Sequence, residues 1–150
     1  MQDAGPEPSL APRPAEAIDP RVPIPDTTPS GPADKALAAR LDALRGDVRS
    51  GIAAFEAREA EAVRLAAAAG PEASEGWIAA QQALSRLVEQ YGVTTRAAAD
   101  VDGLAASRIE SSRWITPADR EAIAIAAAEI GATNNRQAAA IARLREQLAR

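Results

Sequence analysis

The stretch that decides the fold is TPADREAIAIAAAEIGATNNRQAAAIARLREQLAR, residues 116–150. Thr116 is a good N-cap. Pro117 suits the first helical position, where its missing N–H would have had no partner. Asp119 and Glu121 put negative charge at the positive end of the helix dipole, and Arg143, Arg145 and Arg150 put cations at the other end. From there a seam runs through Ile123, Ala127, Ile130, Asn134, Gln137, Ile141, Leu144 and Leu148, in alternating steps of four and three. That is the 3.5-residue period of a coiled coil. A helix over about 117–149 with such a seam needs a partner along its whole length.

Upstream, a second apolar face runs Trp77, Leu84, Leu87/Val88, Tyr91, Ala98, Val101, Leu104/Ala105 and Ile109. Its stripe passes through Gly92-Val93-Thr94-Thr95. This favours one helix over about 75–111, kinked at Gly92, over two helices with Thr94 capping the second. Ser74 is its N-cap. A third face, Leu37, Leu41, Leu44, Val48, Ile52 and Phe55, continues as Ala62 and Ala66 with Val63 beside it. The expected helix covers about 33–69. It begins near Ser30-Gly31-Pro32, with Ser30 or Gly31 as cap, and stops at Gly70-Pro71, with the glycine in the left-handed C′ position.

Three long helices joined by short loops make an all-α, up-down-up antiparallel three-helix bundle, or coiled coil, over residues 33–150. Reflection about the two loops puts Phe55, Val88/Tyr91 and Gln137/Ile141 at one level. The only Phe and the only Tyr, Phe55 and Tyr91, are thus expected to form a core aromatic layer. Trp77 and Trp114 are expected to plug opposite mouths. Asn134 and Gln137 read as a polar layer that fixes register. The alternative is a polar pocket with Tyr91 that holds a small ligand or an ordered water.

Nine of the eleven prolines lie between Pro6 and Pro32, which sets residues 1–32 apart as a disordered, Pro-rich tether. Pro6-Glu7-Pro8, Pro12-Arg13-Pro14 and Pro20-Arg21-Val22-Pro23-Ile24-Pro25 favour extended polyproline II. Pro12-Arg13-Pro14 and Val22-Pro23-Ile24-Pro25 could also dock in an aromatic groove. This arm carries five acids against two bases, and the body is nearly neutral.

The chain has no His, no Cys and one Lys, Lys35, which removes the usual groups of neutral-pH catalysis. Its carboxylates are dispersed: Glu56, Glu59 and Glu61 do not share a face, and Asp100 and Asp102 cannot both point inward. No phosphate loop, nucleophile elbow or triad is present. Ser111-Ser112-Arg113-Trp114 crowds a nucleophile, a base and an aromatic, and reads as an exposed turn. Glu61/Arg64, Glu110/Arg113 and Glu146/Arg150 have helical pairing spacing. The expectation is no catalytic, cofactor or metal site. An acidic chain without a basic stripe is a poor nucleic-acid partner.

No window is apolar enough to span a membrane. The expected compartment is the cytoplasm if Met1 is the natural start, and the periplasm or envelope if an export signal was trimmed. The composition resembles that of small helical proteins of GC-rich bacteria, including envelope-tethered ones, and in composition alone, so it carries over no functional residue. The functional expectation is a non-catalytic structural or interaction module. Its partner would be a protein or a second copy bound through helical faces. The alternative is an amphipathic coat on a lipid or hydrophobic granule surface.

Overall fold

A computed structural model describes residues 31–112 and 115–150 of the 150-residue chain. Three α-helices follow one another: α1 (Lys35–Ala67), α2 (Glu75–Ser112) and α3 (Pro117–Leu148). Each packs against both others, and no strand occurs among the described residues. The expectations for residues 1–30, Arg113 and Trp114 lie outside the described residues, while Ser111 and Ser112, expected in an exposed turn, are the last residues of α2.

The core shows the topology. One cluster joins Leu37, Leu41, Leu44 and Val48 to Ala97, Val101, Ala126 and Ile130. The other joins Phe55, Ala62 and Ala66 to Ala80, Ala83, Leu84, Leu87, Ala140, Ile141 and Leu144. Residue numbers climb along α1 while they fall along α2 and climb again along α3, which is the up-down-up antiparallel bundle. α2 runs unbroken through Gly92. Thr94, the alternative cap of a second helix, is buried within α2 and starts no new one, and the next residue's Thr95 Oγ1 donates back to the Gly92 carbonyl at 3.1 Å.

Three local expectations are corrected. The cap of α1 is Asp34, whose carboxylate accepts from the Leu37 N–H at 2.9 Å, while Gly31 and Pro32 precede the helix. An Asp cap suits the dipole better than Gly, and Asp34 has a second attachment described below. Gly70 does not take the left-handed position, because α1 ends at Ala67. The connection instead turns at Ala73, the one described non-glycine residue with positive φ, at 66°. Ile109 does not continue the α2 face: it is 53% exposed, and Arg108 occupies the next inward position after Leu104.

The other two helix starts follow their sequence cues. Ser74 Oγ accepts from the Trp77 N–H at 3.2 Å, and Thr116 Oγ1 accepts from the Asp119 N–H at 3.1 Å with Pro117 behind it. Trp77 lies half-buried at its mouth of the bundle, where its indole N–H donates to the Leu148 carbonyl at 3.2 Å. That carbonyl is one of the four that the end of α3 leaves without an intrahelical donor.

Candidate functional site

Three places on the bundle hold its chemistry: a polar waist, an ionic node at one end and a cavity at the other. The waist lies between the two hydrophobic clusters. α3 brings Thr133, Asn134 and Gln137 to it, and α2 brings Thr94 and Tyr91. Thr94 and Gln137 are almost wholly buried. Thr133 Oγ1 is satisfied by the Glu129 carbonyl at 3.3 Å. The side-chain oxygens of Asn134 and Gln137 are buried without a hydrogen-bond partner. A buried amide oxygen left without any partner costs about 1–3 kcal/mol.

The seam residues separate as follows. Ile130, Gln137, Ile141 and Leu144 are buried, and Ile123, Asn134 and Leu148 are half-buried. Ala127 is exposed, and Ala126 is the inward alanine, with none of its surface accessible. Thr133 and Ala140, each seven residues further on, are buried with it. The reason is geometric. α3 lies against two helices at once, and a helix facing two partners buries a stripe wider than a two-position seam. Phe55 is buried, and Tyr91, half-buried, packs against the same cluster with Val88.

The ionic node joins all three helices. Asp119 is 1% exposed. Its Oδ1 accepts from the Asp34 N–H at 2.8 Å, and its Oδ2 accepts from Nε and Nη2 of Arg108 at 3.0 and 2.8 Å. Arg108 Nη2 also lies 3.6 Å from Asp34 Oδ2. The Asp34 N–H, followed by Arg108, holds the Asp119 carboxyl below its ordinary range. A second cross-helix cluster sits on the surface. Arg45 and Arg49 of α1 clasp Glu129 of α3 at 2.6 and 2.7 Å. The two guanidinium hydrogen bonds, Arg49 first, lower the Glu129 pKa, and the bond to Glu129 raises that of Arg45. Glu61 pairs across to Arg86 at 3.9 Å, not with Arg64 on its own helix. Glu59 reaches Arg143 at 3.7 Å, and Asp100 reaches Arg40 at 3.8 Å.

Sequence reasoning read Asp119 as a first-turn charge and missed it as a buried node. The available signal was Arg108, a cation at an inward position of α2, four residues after Leu104.

Among the described residues, no group of three or more Asp or Glu side chains converges as a metal site would require. No helix there is long and apolar enough to cross a membrane. No protein-family model matches the chain, and searches of curated proteins and of solved structures find no similar protein.

Proposed function

We propose that the chain is a non-catalytic interaction module, in which a rigid three-helix body is carried on a Pro-rich tether and binds a protein partner through its outer helical faces. The observation behind this reading is the use the bundle makes of its charges. Among the described residues, Asp119, Glu129 and Arg45 have displaced pKa values, and each owes the displacement first to a partner that ties one helix to another. A catalytic centre spends such groups on a cleft instead. Four of the eight α3 seam residues, Ile130, Gln137, Ile141 and Leu144, are buried in the bundle, which leaves the outer faces and the arm for pairing. The acidic balance argues against a nucleic-acid partner.

Among the described residues, the large apolar side chains left exposed are Val63, Ile78, Ile109 and Ile125, spread over three helices. That is a thin basis for a surface coat, which needs a broad greasy face. Light scattering coupled to size exclusion on the full chain, across a concentration series, tests the reading. A monomer of 15.6 kDa at every concentration is expected. A concentration-dependent dimer would transfer the reading to self-assembly. Flotation with phosphatidylserine vesicles would transfer it to coating.

A further inference from the structure

At the end of the bundle opposite the start of α1, an open cavity of about 640 Å³ lies between the α1–α2 connection and the last turn of α3. Trp77, Leu84 and Leu148 make its apolar wall, and Arg145 and Arg150, with one acid, Glu72, line it as well. Neither arginine has a carboxylate within ion-pair distance among the described residues. The bond from the Trp77 indole N–H to the Leu148 carbonyl pins the ring, so a ligand here meets its apolar surface and not its donor.

We propose that this cavity seats the chain's own arm at Pro6-Glu7-Pro8, with the prolines against Trp77 and the Glu7 carboxylate between Arg145 and Arg150. Three arguments converge on that segment. The first is chemistry. A proline-rich strand is already extended and loses little freedom when it lies on an aromatic wall. The second is charge: the arm is acidic, with five acids against two bases, and the cavity lining carries Arg145 and Arg150 against the single acid Glu72. The third is reach. The 33 residues of α1 separate the arm's exit from the cavity, which is about 50 Å at 1.5 Å per residue. An extended arm covers about 3.1 Å per residue. Val22-Pro23-Ile24-Pro25 therefore stops far short, and only the first sixteen or so residues arrive. Within them Pro6-Glu7-Pro8 carries the acid, while Pro12-Arg13-Pro14 carries a base that the arginines repel. The tether keeps the segment at high effective concentration, so a weak contact suffices.

The proposal extends the module reading: the arm becomes a competitor for the surface that a partner would use. The absence of cysteine makes the test clean, because Ser9→Cys takes a nitroxide at a single place. In the full, isotopically labelled chain, the Gly70 amide, the Trp77 indole N–H and the amides of Leu148 and Ala149 are expected to lose most of their intensity. Glu7→Arg should restore them, and Glu7→Arg combined with Arg145→Glu and Arg150→Glu should quench them again. Broadening confined to Gly31–Leu41, or unchanged by Glu7→Arg, overturns the proposal. So does broadening seen only when the nitroxide is on a second, isotopically silent chain. The scattering experiment stays separate: a monomer whose arm never visits the cavity leaves the tether reading standing.

Discussion

At the scale of single residues, Asp119 shows how one position can carry two meanings. Three places after the Thr116 cap, an acid ordinarily reaches back to its own cap N–H. Here its carboxylate turns to the other two helices and takes the Asp34 N–H and Arg108, while its backbone N–H donates to Thr116. From sequence the two uses look alike, because an acid suits the dipole in both. Asp119→Ala should cost about 2–4 kcal/mol in urea unfolding at neutral pH, since it strips the partners from a buried pair. The pH dependence has a definite sign. A carboxyl whose folded pKa is lowered adds stability that is complete above its unfolded value, about 3.9. That stability is lost as pH falls through the folded value. The stability gap between the native chain and Asp119→Asn should therefore be widest at neutral pH and close below about pH 4. The shared acid slope from Glu129 remains in both chains. Gln137 invites the opposite test. Its buried oxygen has no partner and it lies between two apolar clusters, so Gln137→Leu should raise stability by about 1 kcal/mol. A lower Tm would mean that the amide is satisfied in solution.

At the scale of elements, the large apolar residues of α1 were legible and alanine was not. Leu37, Leu41, Leu44, Val48 and Phe55 mark the buried face of α1 without ambiguity, because each is large enough to need cover. In Ala126-Ala127-Ala128 every residue fits inside or outside equally well, so periodicity alone chose Ala127 where packing chose Ala126. Position 109 failed for a related reason: the face of α2 ends in Arg108, and an isoleucine beside it looked like the better core residue. The node itself was out of reach of pattern reading, because Asp34, Arg108 and Asp119 meet only after all three helices are docked. Two element-scale changes follow from the backbone. A methyl added at Gly46 or Gly103 meets nothing within 4 Å, so Gly46→Ala and Gly103→Ala should each stabilise their helix by about 0.5–1 kcal/mol, read as a rise in Tm. At Ala73 the backbone is left-handed, which costs an alanine about 1–2 kcal/mol. Ala73→Gly relieves that strain and gives part of it back in unfolded-chain entropy. A small gain in Tm is expected, and a loss would show that the turn relaxes once α1 and α2 are free of each other.

At the scale of the whole molecule, the question is whether α1 and α2 could stand as a hairpin with α3 as an addition. Both hydrophobic clusters answer that they could not. Ala126 and Ile130 close the cluster at the node end, and Ala140, Ile141 and Leu144 close the one at the Trp77 end. Without them, Leu41, Phe55, Leu87 and Val101 would each lose part of their cover. Burial is worth about 25 cal/mol per Å² of apolar surface, and the alanines that line much of both clusters add little area. A two-helix remainder therefore has little surplus against the entropy of ordering its chain. Removal of α3 also leaves Arg108 without Asp119, strips the Asp34 N–H of its acceptor and takes the Leu148 carbonyl from Trp77. Truncation after Ser112 should thus abolish the cooperative thermal transition seen by circular dichroism and leave a gradual loss of partial helicity. A truncated chain that melts cooperatively with full helix content would show the hairpin to be the folding unit. α3, with its two buried amide oxygens, would then be the detachable helix, free to pair with another copy of the chain.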